Sequence, residues 1–108
     1  MTDNQETSFR ELIQGSERPV LVDFYADWCG PCKTLAGELE KFADEHGQEV
    51  KIVKVNVDNN MSAALSCKVR GVPTLVLYKE GQEIWRNSGT MSLQGLKKEV
   101  LPLLNNES

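Results

Sequence analysis

Apolar residues along this chain fall into two kinds of run, one continuous and one with helical spacing. Residues 20–26, VLVDFYA, are almost entirely apolar, which is typical of a strand buried on both faces. Residues 31–46 carry apolar side chains three and four positions apart, and Gly47 follows as a helix stop. The pattern therefore predicts a buried strand followed directly by an amphipathic helix.

Shorter patterns predict the other elements of the first two thirds of the chain. A first helix is expected over residues 8–14, because Ser8 and Glu11 have the spacing of a capping box. Residues 50–58, VKIVKVNVD, are rich in β-branched side chains and predict a second strand. Residues 61–69 predict another helix.

The last third of the chain predicts a hairpin and a helix. Residues 74–79 and 83–87 flank the turn KEGQ, which favours two antiparallel strands. Ser92 has the position of an N-cap for a final helix. Its apolar face is formed by Leu93, Leu96, Val100 and Leu101.

The order of these elements indicates an α/β protein. A strand, a helix and a second strand at this spacing form a parallel pair with a right-handed crossover. The hairpin and last helix then complete a mixed sheet with helices on both faces. With 108 residues, the chain has the length of one domain, 1–108.

Charge and composition exclude several classes of function. The net charge of −4 argues against a nucleic-acid-binding surface, which would be basic. No run reaches the roughly 18 apolar residues of a membrane span. The start, MTDNQETSF, lacks the basic and apolar regions of a signal peptide, so a reducing, cytoplasmic location is expected. There, close cysteine pairs are more often metal-binding or catalytic than structural.

Cys29 and Cys32, in the stretch DWCGPCK, are the residues with evident chemistry. A structural zinc site needs four ligands, and only the remote Cys67 and His46 could add to the pair. A purely structural disulfide across so short a loop removes little chain entropy from the unfolded state. Both hypotheses are therefore disfavoured, and no bound metal is expected.

A redox role has more support from the local pattern. Cys29 falls where the strand meets the helix, and Cys32 lies within the first helical turn, so the sulfurs can meet. Backbone N–H groups at the helix start stabilise a thiolate on Cys29. Pro31 suits the first turn, where its missing N–H is no loss, and Gly30 keeps bulk away from the sulfur. A C-x-x-C near a βαβ pattern is a redox signature.

The chain resembles the thioredoxin family at four separate stretches. They are DFYADWCGPCK, KVNVD at 54–58, VRGVPTLVLYKEG at 69–81 and SGTMS at 88–92, in the order that the family has them. The resemblance implies a thioredoxin fold, with a central mixed sheet of four strands flanked by four helices. The family also has a short N-terminal strand, but the polar stretch TDNQET predicts that this fifth strand is missing or reduced to a stub.

The resemblance also implies reduction of disulfides in other proteins. Cys29 would attack a substrate disulfide, and Cys32 would resolve the mixed disulfide, leaving a Cys29–Cys32 bond. No cofactor is implied beyond this redox-active disulfide. The implied partners are protein disulfide substrates and an NADPH-dependent thioredoxin reductase, with the protein acting as a monomer.

Asp23 and Lys54 gain their candidate roles from the resemblance. Taken alone, Asp23 in an apolar run is best explained as a carboxylate bonded to backbone, and Lys54 as a solvated surface residue. The family match makes Asp23 a buried carboxyl that activates Cys32, with Lys54 near it. Burial raises the pKa of a carboxyl, which suits proton exchange with a thiol near neutral pH.

A substrate-docking surface is implied in the same way. In the family, the peptide bond equivalent to Val72–Pro73 is cis, and the backbone of the first residue pairs with an extended substrate. Without the resemblance, a trans proline at a strand entry would be the commoner case, and a lone Trp would be partly buried core. The resemblance assigns to this surface Trp28, Gly30, Pro31, Val72, Pro73 and Gly89.

Three residues depart from the family pattern or stand outside it. Tyr25 occupies a position where a second Trp is common, and Gly37 stands where the helix often has a kinking proline, which predicts local softness. Cys67 is the odd cysteine. A lone helical Cys is usually an inert hydrophobe, but its place before the VRGVP loop leaves a regulatory oxidation open.

Three functions are compatible with these observations. The first is a general protein disulfide reductase, which the Gly-Pro dipeptide between the cysteines favours. The second is a glutathione-linked or oxidising relative. The third is a binding module that uses the fold as a scaffold and in which the thiols are secondary.

Asp27 generates a prediction from sequence alone. Its negative charge lies two residues before Cys29 and disfavours a second negative charge nearby. We therefore expect Cys29 of the reduced protein to ionise at a slightly higher pH than in an Asp27→Asn variant. Titration of both proteins by thiolate absorbance measures the difference, and coincident curves would contradict it.

Overall fold

The computed structural model describes residues 4–104, with side chains from residue 9 onward. Within this range no helix has both the length and the apolar character needed to cross a bilayer. Eight elements follow one another: α1 (Asn4–Gly15), β1 (Val20–Tyr25), α2 (Gly30–His46), β2 (Lys51–Asn56), α3 (Met61–Ser66), β3 (Thr74–Lys79), β4 (Gln82–Ser88) and α4 (Leu93–Leu104).

The strands form one mixed sheet in the order β2-β1-β3-β4. β1 pairs in parallel with β2 and antiparallel with β3, and β3 pairs antiparallel with β4. β1 is almost entirely buried, as its continuous apolar run predicts. In the parallel pair, Asp23 lies opposite Lys54. The predicted α/β class and mixed sheet are confirmed.

Helices cover both faces of the sheet because strand side chains alternate between the faces. On one face, Val20, Val22 and Phe24 pack with residues of α1 and α3. On the other, Leu21 packs with α2 and α4. The main side chains of this second core are Leu35, Leu39, Phe42, Leu96 and Val100. Packing in the two cores therefore fixes the position of α2 relative to β1.

The first helix is longer than predicted. It begins at Asn4, so Ser8 lies inside the helix and the predicted capping box is wrong. Apolar spacing marks only the part of a helix that packs, and the polar turn before it carries no such signal. The stretch TDNQET is therefore helical from Asn4 onward, and no strand precedes β1 in the described range. A stub at residues 1–3 would lie outside that range.

α3 is shorter than the predicted 61–69, for a local reason. Lys68 has a positive φ of 59°, which takes the chain out of the helix. The Arg86 guanidinium, on β4, donates hydrogen bonds to the carbonyls of Cys67 (2.6 Å) and Lys68 (3.4 Å). These bonds satisfy carbonyls that a helix end leaves without partners.

The hairpin and the last helix agree with their predictions. Glu80 and Gly81 form a two-residue turn with φ of 54° and 80°, the left-handed conformation that tight hairpins require. Ser92 Oγ accepts a hydrogen bond from the Gly95 N–H at 3.1 Å, as expected of an N-cap.

Gly37, inside α2, and Gly47, the C-cap of α2, have opposite surroundings. A Cβ at Gly37, inside the helix, would meet no atom within 4 Å. A Cβ at Gly47, the C-cap, would lie 2.6 Å from the Ala43 carbonyl oxygen, which is too close for any side chain. Gly37 therefore costs helix stability without a steric need, whereas Gly47 is required.

We expect Gly37→Ala to raise the free energy of unfolding by about 0.5–1 kcal/mol, because alanine restricts the unfolded chain and favours the helix. Urea denaturation of the oxidised protein measures this change. Gly47→Ala is the matched control and should lower stability. A destabilised Gly37→Ala would show that α2 needs flexibility at this position.

Candidate active site

The junction between β1 and α2 places Cys29 at the start of a helix. Cys29 is the N-cap of α2, in an extended conformation, and its Sγ accepts a hydrogen bond from the Cys32 N–H at 3.2 Å. Pro31 lies in the first turn, where no N–H is needed. The Cys29 N–H donates to the Ala26 carbonyl at 3.2 Å and so fixes the loop before the helix. An N–H directed at sulfur favours its anion.

Cys29 and Cys32 are joined by a disulfide, with their Cα atoms 5.3 Å apart. This separation is within the ordinary range for such a bond. Both residues are buried and pack with Ala26, and the half-buried Val57 and Val72 contact this cluster. The backbone therefore holds the two cysteines at a separation that suits a disulfide.

The surroundings of the cysteines do not match a zinc site. His46 is 14 residues beyond Cys32 on the same helix, a distance of about 21 Å at the helical rise. There its Nδ1 contacts Glu49 at 3.0 Å. Among residues 9–104, no cluster of three or more His, Cys, Asp or Glu side chains is arranged to hold a metal ion.

Most of the predicted docking residues meet around the disulfide. Trp28 is 72% exposed, and Gly30 and Pro31 are also at the surface. Val72 packs against the cysteine cluster, and the Val72–Pro73 bond is cis, as the resemblance implied.

Gly89 is brought to this surface through the backbone of Pro73. Its N–H donates to the Pro73 carbonyl at 2.9 Å, and its φ of 99° is a conformation that L side chains rarely adopt. A glycine is therefore needed at the point where the chain leaves β4 and passes the proline.

Asp23 is fully buried, and neither carboxyl oxygen has a hydrogen-bond partner among the described residues. It shares a face of β1 with Leu21, the face that α2 covers. Burial raises the pKa of Asp23 to about 6, and the nearby Lys54 charge opposes this rise. An unpartnered carboxyl in a core is costly, so Asp23 lowers the stability of the fold when it is charged.

Lys54 is exposed and lies beside the Cys29–Cys32 pair. Its ammonium is 4.9 Å from the centre of the Tyr25 ring, within the range of a cation–π contact. Lys54, Tyr25 and Cys32 line one groove of about 390 Å³, together with Asp27. The structure therefore brings Lys54 into the neighbourhood of both Asp23 and Cys32.

Asp58 is a site residue that the sequence did not single out. Its Oδ2 accepts a hydrogen bond from Trp28 Nε1 at 2.9 Å, although 30 residues separate the two. Asp58 belongs to the stretch KVNVD, but an exposed carboxylate after a strand looks like any solvated loop residue. Only the parallel pairing of β1 with β2 brings their carboxyl ends together.

Cys67 lies in a different place from the redox pair. Its Sγ is 3.1 Å from the Tyr78 hydroxyl, and it lines a cavity of about 440 Å³ beside α1. The residues that line this cavity include Phe9 and Arg86 but none of the predicted docking residues. A regulatory role for Cys67 stays a prediction.

Comparison with known proteins agrees with this geometry. The family model for thioredoxin matches residues 1–101. Thioredoxin 1 of Chlorobaculum tepidum is 45% identical, and the match covers 84% of this chain and 90% of the length of that protein. The thioredoxin of Mycobacterium tuberculosis is 39% identical over 97% of this chain and 100% of its own.

Solved structures show the same fold. The oxidized form of mitochondrial thioredoxin 3 from Saccharomyces cerevisiae superposes with a TM-score of 0.80 and 38% identity, covering 89% of this chain and 88% of that one. Fasciola hepatica thioredoxin gives a TM-score of 0.80 at 37% identity, covering 89% and 91%. With its helix-capped Cys29–Cys32 disulfide, the chain therefore belongs to the thioredoxin family of thiol-disulfide oxidoreductases, and this pair carries its dithiol–disulfide exchange.

Proposed function

We propose that Cys29 is the attacking thiol and Cys32 the resolving thiol of a general protein disulfide reductase. The Cys29 thiolate attacks one sulfur of a substrate disulfide, and the other substrate sulfur leaves as a thiolate that takes up a proton. Cys32 then attacks Cys29 Sγ, the second substrate thiol leaves, and the Cys29–Cys32 bond forms. The hydrogen bond from the Cys32 N–H to Cys29 Sγ is the observation that carries this assignment.

Asp23 is proposed as the group that exchanges a proton with Cys32. A thiol must lose its proton to attack, and a carboxyl with a pKa of about 6 can accept it near neutral pH. Lys54 would tune this carboxyl by its charge, since that charge opposes the rise in the Asp23 pKa. The groove beside Cys32 would admit water to this region.

Substrate binding is assigned to the apolar rim of the disulfide. Trp28, Gly30 and Pro31 on one side, and Val72 with Pro73 on the other, would contact an extended segment of the substrate. Gly89 would support Pro73 through its backbone hydrogen bond. Such a shallow surface suits many protein disulfides rather than one small molecule.

We further propose that an NADPH-dependent thioredoxin reductase resets the disulfide, that no cofactor is needed beyond the cysteine pair, and that the chain acts as a monomeric single domain. Each chain carries both cysteines, so one copy can complete the cycle. A reducing compartment, the cytoplasm, suits a reductase of this kind, because exchange with external thiols then favours the dithiol form.

The activity test is reduction of insulin by dithiothreitol. We expect Cys29→Ser to lower the catalysed rate to the level without protein, because Cys29 is the proposed attacking sulfur and Cys32 is proposed only to resolve the mixed disulfide. Cys67→Ser is the matched control and should retain the wild-type rate. A Cys29→Ser protein as active as the wild type would instead favour the scaffold hypothesis.

The same assay identifies the electron donor when dithiothreitol is replaced. Consumption of NADPH in the presence of thioredoxin reductase supports the proposed partner. Turnover with glutathione alone, and none with the reductase, would assign the chain to the glutathione-linked alternative.

The shifted pKa of Asp23 has a consequence for stability. In the unfolded chain this carboxyl has an ordinary pKa near 3.8, whereas in the folded protein burial raises it to about 6. Between these values the folded state binds more protons than the unfolded state, so stability falls as the pH rises. The full penalty, on the order of 3 kcal/mol, is reached above about pH 7.

We therefore expect Asp23→Asn to stabilise the oxidised protein at pH 8 by up to about 3 kcal/mol, and by much less at pH 4. Urea denaturation at both pH values measures the difference. The same variant should reduce insulin more slowly at pH 7. The exposed Asp44→Asn is the control, and a pH-independent effect of Asp23→Asn would refute the buried-charge account.

A further inference from the structure

The turn after β2 is organised by one side chain, that of Asn56. Its Oδ1 accepts hydrogen bonds from the backbone N–H groups of Asp58 (2.9 Å) and Asn59 (3.3 Å). The backbone carbonyl oxygen of Asn56 accepts a further hydrogen bond from Asn60 Nδ2 at 3.0 Å. A side-chain acceptor that bonds two residues further along fixes a turn as a backbone hydrogen bond would.

Asn56 is itself held by the sheet. It is the last residue of β2 and pairs with Tyr25 of β1 in the parallel register. The next residue, Val57, donates its N–H to the Tyr25 carbonyl at 2.8 Å. The base of the turn is thus fixed to the strand that leads to the redox pair.

The tip of this turn holds Trp28 through Asp58. Trp28 is the residue directly before Cys29, and with 72% of its surface exposed it has little packing to fix its ring. Its indole Nε1 donates a hydrogen bond to Asp58 Oδ2 at 2.9 Å. The direction of the Asp58 side chain, and therefore of the indole, depends on the backbone that Asn56 Oδ1 holds.

We propose that Asn56 is a positioning residue for substrate docking, acting through Asp58 to hold the Trp28 indole beside the Cys29–Cys32 pair. Asn56 touches neither the sulfurs nor the indole. It sets where an apolar substrate segment meets the ring, and leaves the exchange step at Cys29 unchanged. This inference rests on the proposed docking role of Trp28.

The kinetic test compares Asn56→Ala, Asn56→Asp, Asp58→Ala and the double variant Asn56→Ala/Asp58→Ala. We expect Asn56→Ala to raise the KM for insulin about fivefold, the size of the effect of losing the one hydrogen bond between Trp28 and Asp58, with kcat within about twofold of wild type. The rate with a small aromatic disulfide reagent should stay within about twofold. Asn56→Asp keeps the acceptor and should restore the KM.

The double variant separates positioning from general damage. If Asn56 acts through Asp58, its removal in the Asp58→Ala background adds nothing to the KM. Additive effects, or equal losses with insulin and with the small disulfide, would overturn the proposal. Thermal unfolding of each variant confirms that the folded protein is being measured.

Fluorescence tests the indole directly and does not depend on the proposed function. In a Trp85→Phe background, Trp28 is the remaining tryptophan. We expect time-resolved anisotropy to show faster local motion of the indole in Asn56→Ala, and wild-type motion in Asn56→Asp. Unchanged motion in Asn56→Ala refutes the positioning role. If the indole moves faster in Asn56→Ala but the KM for insulin is unchanged, the docking role of Trp28 is refuted instead.

Discussion

The chemistry of this protein depends on one contact, the hydrogen bond from the Cys32 N–H to Cys29 Sγ at the start of α2. A helix N-terminus leaves N–H groups without intrahelical partners, and here a sulfur occupies the capping position that a serine or aspartate oxygen usually fills. The contact that caps the helix thus directs a backbone N–H at this sulfur. Formation of the helix therefore also fixes the surroundings of Cys29 Sγ.

That contact requires a rigid junction before it, and β1 supplies the junction. β1 is paired on both sides, with β2 and β3, and is covered by a helix layer on each face. A strand so constrained fixes the direction in which the chain enters α2. It also buries Asp23 fully, and this burial raises the pKa of the carboxyl to about 6. The burial that fixes the start of α2 thus also raises the pKa of the Asp23 carboxyl.

The sequence predicts those elements whose hydrophobic pattern marks a packed face. β1, α2 and the hairpin have strong local patterns, and their positions agree within one or two residues. The start of α1 was missed because Asn4 and its neighbours are polar and carry no helical period. The end of α3 was missed because a guanidinium from β4, Arg86, takes up the carbonyls at the helix end, and no local pattern contains that partner.

The residues of the candidate site differ in the same way, because only some of them are marked by a local pattern. The cysteine pair is local, since one turn of helix contains both sulfurs and the N–H that caps them, and so a short motif is sufficient to predict it. The rim is not local, because Trp28 meets Asp58 across 30 residues and Pro73 meets Gly89 across the β3–β4 hairpin. The Trp28–Asp58 contact exists only once β1 has paired with β2, and the Pro73–Gly89 contact only once β3 has paired with β4. Redox chemistry can therefore be inferred from a few consecutive residues, whereas the surface around the disulfide forms only in the completed sheet.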